Sequence, residues 1–270
     1  MISYSLQLED GTKFPINGEG ATVQLRQSAS LGDFAHSKKS TIVERSYGDG
    51  SLKVGVSRSG ASSMQLSMDL SFLDNGTARI FLNNILAYAR DAVYLVDETN
   101  FLRTRIDMSE PSVTWDDGSY LRSGSLSIVF VQLIPYWEST AETTAEQAVT
   151  AIVPVVVPLD NTGFADTPFI VDVAVETACA YVEIQDIDVG TILRFDSASF
   201  GASGFSTLRI DNDKGSAILL NDDGVTQLDV IASASDGSGF FNLRRGVNEL
   251  TIRAEQDATF SFSFRKRYFV

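Results

Sequence analysis

Apolar residues recur at alternate positions over much of this chain, a period that predicts β-strands. Met64-Gln-Leu66-Ser-Met68-Asp-Leu70-Ser-Phe72 alternates over its whole length, putting five apolar side chains on one sheet face. Residues 40–56 carry Ile42, Val43, Leu52, Val54 and Val56 around a polar turn, Tyr47-Gly48-Asp49-Gly50. Residues 94–107, 113–115 and 125–134 have the same character, with Asp116-Asp117-Gly118-Ser119 read as a hairpin turn. One segment breaks the pattern. Ala78, Phe81, Leu82, Ile85 and Ala89 fall at i, i+3, i+4, i+7 and i+11, a single helical stripe. The preceding Asp74-Asn75-Gly76-Thr77 supplies oxygens for an N-cap.

After Pro135-Tyr136-Trp137-Glu138 the composition changes. Residues 139–150 are rich in Thr, Ala and Glu without a strong apolar period, and Pro154, Pro158 and Pro168 follow closely. This predicts a linker over 139–160 between a first domain, 1–138, and a second, 161–270. The second domain has no helical stripe. Short alternating runs appear at 169–175, 180–184, 192–195, 208–210, 218–220, 228–231, 250–254 and 260–264. Polar turns separate them about every ten residues, the pattern of a β sandwich or jelly roll. Phe260, Phe262 and Phe264 alternate with Ser261 and Ser263 in the clearest strand.

Charge narrows the partners. Net charge is −14; residues 1–138 hold 16 acids and 12 bases, residues 139–270 hold 19 acids and 9 bases. Such a surface repels phosphate backbones, so no specific nucleic-acid binding is expected. No apolar run is long enough for a bilayer-spanning helix, and the alternating start of the chain reads as a strand instead of a secretory signal. Cys179 is the only cysteine, which suits a small apolar side chain in a strand and folding in a reducing cytoplasm.

The search for chemistry yields little. With one histidine, His36, no multi-histidine metal site can be built, and a catalytic triad would have to use that loop-like residue. Neither Gly201-Ala-Ser-Gly204 nor Ser59-Gly-Ala-Ser-Ser63 completes a nucleophile elbow, and phosphate-binding glycine loops are absent. The carboxylate pairs Asp116/Asp117, Asp186/Asp188 and Asp222/Asp223 could serve hydrolysis, but all sit at turns, where Asp bonds the local backbone. Asp211-Asn-Asp213-Lys-Gly215 suggests a hairpin turn before a calcium loop. Arg265-Lys266-Arg267 either meets an acidic partner or balances the acidic domain. No catalytic, cofactor-binding or metal-binding residue is expected, and no enzymatic activity.

Two constellations resemble the distal tail protein family of long-tailed bacteriophages. The first is Val129-Phe-Val-Gln-Leu-Ile-Pro-Tyr-Trp-Glu138 closing the first half. The second is the ordered set Ser206-Thr-Leu-Arg-Ile-Asp-Asn212, Ala217-Ile-Leu-Leu-Asn-Asp-Asp-Gly224, Gly239-Phe-Phe-Asn-Leu-Arg-Arg-Gly-Val-Asn-Glu-Leu-Thr-Ile252 and Phe264-Arg-Lys-Arg-Tyr268. The resemblance implies an N-terminal β-barrel-like domain with one helix and a C-terminal galectin-like β sandwich. It further implies a homohexameric ring joining the tail tube protein to a tail hub protein at the virion tail tip, assembled in the host cytoplasm. Receptor-binding or other peripheral proteins would dock on the C-terminal domains, and DNA would pass through the lumen without specific binding. No cofactor and no membrane partner follow from it. The alternative is a carbohydrate-binding module of a tail or cell surface. The galectin sugar site does not carry over, since the second domain lacks His and Trp; Tyr181 or Phe240/Phe241 would have to replace it. In the ring, residues 64–72 and 125–134 are the expected edge strands at the subunit interface.

Overall fold

A computed structural model describes residues 3–16, 24–25, 38–44, 51–59, 62–72, 74–108, 112–116, 118, 123–175, 177–196, 200, 204–223 and 227–268. The chain divides into two compact units, Met1–Thr140 with Phe269–Val270, and Ala141–Tyr268.

The first unit contains β1 (Tyr4–Gln7), β2 (Lys13–Pro15), β3 (Gln24–Leu25), β4 (Lys38–Glu44), β5 (Ser51–Ser59) and β6 (Ser62–Ser71), then helix α1 (Asn75–Asp91). After the helix come β7 (Tyr94–Asp97), β8 (Leu102–Met108), β9 (Ser112–Trp115), β10 (Ser123–Gln132) and β11 (Trp137–Ser139). An antiparallel sheet runs in the order β2-β1-β7-β8-β10-β6-β3, with β9 beside β10 and β11 beside β8; β4 and β5 form a separate hairpin. Strand β10 is interior. It pairs with β6 along its whole length on one edge, and with β9 and β8 on the other. The expectation that 125–134 is an edge strand is therefore corrected. Strand β6 has β10 on one side and β3 on the other at Met68 and Asp69.

Alternation in β10 is complete: Leu126, Ile128 and Phe130 are buried between half-exposed Ser and Val positions. Helix α1 lays Ala78, Phe81, Ile85 and Ala89 against this core, with Phe81 tilted on Phe72 and Tyr88 stacked on Phe14. Asp74 caps it: one carboxylate oxygen accepts from the Thr77 backbone N–H at 2.8 Å, the other from the Thr77 hydroxyl at 3.0 Å. Removing this cap as Asp74→Ala is expected to lower stability by about 1 kcal/mol, while Asp74→Asn retains most of it. Urea midpoints of the two variants check this.

The second unit is an antiparallel β sandwich, in keeping with a galectin-like description. Its strands are β12 (Thr143–Val149), β13 (Val155–Asn161), β14 (Phe169–Val175), β15 (Tyr181–Asp186), β16 (Ile192–Asp196) and β17 (Phe205–Asp211). They continue with β18 (Ser216–Asn221), β19 (Gln227–Asp229), β20 (Gly246–Ala254), β21 (Ala258–Phe264) and β22 (Arg267–Tyr268). One sheet has the order β12-β21-β14-β17-β18-β19 and the other β13-β20-β15-β16. Inward positions of both sheets, including Phe260, Phe262, Phe169, Val171, Leu250, Ile252 and Phe195, form one continuous core. The apolar run at 228–231 splits, since Ile231 opens a short 3-10 turn, Ile231–Ser233, after β19.

The expected linker over 139–160 is not a linker. Residues 143–149 and 155–161 are β12 and β13, one edge strand in each sheet of the sandwich. An edge strand at a sandwich margin buries few apolar side chains, here Val149 from β12 and Val157 and Leu159 from β13, beside the polar Asn161, so its apolar period is weak. Proline has no N–H to donate, so the exposed Pro158 is accommodated in an edge strand and blocks pairing with another chain there. Edge strands and linkers thus share a composition.

Candidate functional site

The sequence-named residues divide into those with structural work and those left at the surface. His36, Asp117, the Tyr47–Gly50 turn and most of Gly201–Gly204 lie outside the described residues. Asp116 and Asp222 are exposed turn residues. Asp186 and Asp188 are brought together, for a mechanical purpose. The Asp186 carboxylate, 2% exposed, accepts from the backbone N–H of Asp188 at 2.9 Å and of Val189 at 3.2 Å. The Arg244 guanidinium reaches Asp188 at 2.7 Å and Asp186 at 3.5 Å. A hairpin is clamped, both carboxylates being taken up by Arg244 and local N–H groups. Asp211 acts likewise, accepting from the N–H of Asp213 and Lys214 at 3.0 and 3.1 Å. Its segment is a turn, and among the described residues no group of three or more His, Cys, Asp or Glu could hold a metal ion.

One end of the sandwich is polar, and it contains the Leu243-to-Asn248 turn quoted above for its resemblance. Asn248 is buried; its oxygen accepts from Arg244 N–H at 2.8 Å, and its amide donates to the carbonyls of Arg244 at 2.9 Å and Gly246 at 3.0 Å. Gly246 has φ +98°, a left-handed conformation that favours glycine. These contacts explain Leu243-Arg-Arg-Gly246-Val-Asn248: the asparagine holds the turn that the glycine permits. Asn161, also buried, donates to the carbonyls of Ala165 and Leu243 and accepts from Gly163 N–H. A Cβ on Gly163 would meet the Arg267 carbonyl oxygen at 2.7 Å, so only glycine fits against that strand. Arg267 is itself tied in, its side chain 12% exposed and 3.3 Å from Asp213. Part of the C-terminal basic cluster therefore balances acids of its own unit.

The proposed aromatic contacts separate. Phe240 and Phe241 pack against the core, Phe241 with its ring 5.2 Å from Phe169. Tyr181 lies on the outer face of the four-stranded sheet, where the guanidiniums of Arg194 and Arg253 stand 4.3 and 5.6 Å from its ring centre. Arg194 also pairs with Glu183 at 3.3 Å and Asp196 at 3.0 Å. Hydrogen bonds from Arg194 and then Ser235 hold the Asp196 carboxyl below the usual carboxylate range, so the pair stays charged through neutral pH. A sugar ring approaching Tyr181 would compete with guanidiniums already on it. On the six-stranded sheet, the outward row Glu146, Ser261, Asp172, Arg209 and Ile218 contains no aromatic ring, and Arg209 is bidentate on Asp172 at 2.8 and 2.7 Å.

Two exposed apolar residues sit on left-handed backbone where glycine would be favoured. Phe101, φ +55°, ends the β7–β8 turn with its side chain 68% exposed, and its carbonyl accepts from Thr140 N–H at 2.8 Å. Ile152, φ +68°, forms the β12–β13 turn and is 57% exposed. Such conformations cost roughly 1–3 kcal/mol each. No sequence signal marks either. Beside Ile152, at the end of the sandwich opposite Asn248, lies an open groove of about 930 Å³.

Residues 162–268 match the family described as Siphovirus-type tail component, C-terminal domain. No curated protein matches the chain. Among solved structures, the SPP1 Dit (gp 19.1) protein, described as a paradigm of the hub adsorption apparatus in phages infecting Gram-positive hosts, is similar with a TM-score of 0.67 at 14% identity. The likeness covers 98% of each chain. A chain of the phage P2 baseplate in its activated, calcium-containing conformation is similar with a TM-score of 0.56 at 10% identity, again over 98% of both. At these identities the solved structures establish fold. The second unit is thus similar to the siphovirus-type tail component C-terminal domain, and the chain as a whole is Dit-like in fold.

Proposed function

We propose that this protein is a structural component of a phage tail tip: a homohexameric ring that joins the tail tube to the hub and docks peripheral or receptor-binding proteins on its second units. The observation that carries the proposal is the Dit-like fold over 98% of the chain, spanning both units, together with the tail-component match in the second. The charge supports it. The first half, which would form the ring, holds 16 acids and 12 bases, so it offers DNA no net attraction, which suits passage without binding. The carbohydrate-binding alternative has no comparable support, because Tyr181 is covered by arginines and Phe240 and Phe241 face the core.

Tube-end capping tests this role. Purified protein mixed with its cognate tail tube protein, without cofactor or nucleotide, is expected to decorate tube ends in electron micrographs. Bare ends at saturating protein would rule the role out.

A further inference from the structure

We infer that the free edge of β12 is a docking site that takes up an extended, basic segment of another protein as an added strand. Such docking refines the role proposed above, on which it rests, by naming the chemistry of the docked segment. Three of the four sandwich edges are closed to further pairing. Strand β16 is covered: Ser235 and Gly239 donate their N–H groups to the carbonyls of Arg194 and Ile192 at 2.9 and 3.0 Å, and the Arg194 N–H donates to the Ser238 hydroxyl. Strand β19 is three residues long and gives way to the 3-10 turn. Strand β13 is blocked by Pro158. The Ile187 N–H donates to the Glu249 carbonyl, so Glu249 directs its backbone groups at β15, and Pro158 opposite it turns its own toward the open side. The donor at the middle of that edge is therefore missing.

Strand β12 has no such device. The Asn212 N–H donates to the Phe169 carbonyl, which turns the backbone groups of Phe169 to β17 and those of Phe264, its partner in β21, to Thr143. Alternation along the unbroken register then directs the N–H and C=O groups of Thr144, Glu146 and Ala148 away from β21. In agreement, the Ala148 carbonyl accepts from the Gln147 side-chain amide at 2.9 Å. Among the described residues β12 pairs with β21 alone, so a row of donors and acceptors is left for an incoming strand.

Charge selects the occupant. Residues 139–193 contain nine Asp or Glu and no Lys, Arg or His. Glu146 is exposed on β12 and faces Ser261 across the register; the bases Arg265 to Arg267 follow β21 at the Thr143 end, where Arg267 engages Asp213. A Lys or Arg of an added strand opposite Glu146 gains a cross-strand pair, whereas a second copy of this edge sets acid against acid. On the other face Ala145 packs at the margin of the core, which an apolar residue of the added strand would extend. The recognised pattern is therefore basic and apolar residues in alternation.

The test uses the full chain and a fluorescent peptide of alternating lysine and valine, with glutamate in place of lysine in a control peptide. Anisotropy titrations are expected to show binding of the lysine peptide alone, with slowed amide exchange in β12. Thr144→Pro removes an outward N–H and no ladder bond, so it should melt like the wild type yet bind about tenfold more weakly. Glu146→Lys should reverse the preference, taking the glutamate peptide in place of the lysine one, and it decides the matter if the proline variant does not fold. Equal binding of the lysine peptide by wild type and variants would reduce the attraction to diffuse charge and overturn the inference. So would an absence of binding, or a wild-type mass that doubles with concentration and fails to double in Thr144→Pro, which would make the occupant a second copy. Light scattering on the same samples reports ring formation separately, so the docking edge and the ring can fail independently.

Discussion

A fragment comprising residues 161–270 is expected not to fold, whereas one beginning at Ala141 is expected to melt cooperatively. The shorter fragment begins near the start of the family match, at residue 162, and would be the natural choice from the sequence. It lacks β12 and all of β13 except Asn161. Those strands bury Val149, Val157 and Leu159, each contributing about 1.5–3 kcal/mol, and complete one edge of each sheet. Losing about 5–9 kcal/mol would consume most or all of the roughly 5–15 kcal/mol that stabilises an ordinary domain. It would also expose the edge of β21 along its whole length and that of β20 along most of it, an invitation to aggregation. Circular dichroism melts of the two fragments decide the matter. A sharp transition in 161–270 would mean that residues 141–160 are the linker their composition suggests.

The second large effect is expected at Asn248. Asn248→Ala removes a side chain bonded to the N–H and carbonyl of Arg244 and to the Gly246 carbonyl, at a position 1% exposed. Buried backbone groups left without partners cost about 1–3 kcal/mol each, and water can restore some of them at this loop end. The expected loss is therefore roughly 2–4 kcal/mol, confined to the second unit. Gly246→Ala, which only strains the φ +98° position, should cost about 1 kcal/mol. Urea denaturation followed by second-unit probes separates the two. A change below about 0.5 kcal/mol for Asn248→Ala would show that the motif is not a structural clamp.

Much of the fold was legible where side chains are large and strictly alternate. Phe260, Phe262 and Phe264 announce a core strand because each inward position carries a ring. The α1 stripe from Ala78 to Ala89 was legible for the same reason, and Asp74 marked its start. The margins were not. Strand β12 sends mostly Thr, Ala, Glu and Gln outward or half outward, and β13 carries an outward proline. Their strand character comes from pairing with β21, more than a hundred residues away in sequence, and with β20, more than eighty away. Strand β10 looked like an edge for a related reason: alternation reports which face is buried and says nothing about neighbours in the plane. The surface features were the least legible. Asp186 and Asp188 looked like a chemical pair because adjacency in sequence resembles adjacency in a site, yet their partners are local N–H groups and Arg244. Ile152 and Phe101 carry no local mark of left-handed backbone, since that conformation is imposed by the hairpins they close.

The central claim, a ring-forming tail component, is tested most directly by cryo-electron microscopy of the purified full-length protein. Sixfold-symmetric end views with the first units on the inner circle are expected, in the absence of any ligand. Particles that remain monomers or twofold dimers without higher rotational symmetry, alone and with tube protein, would contradict it.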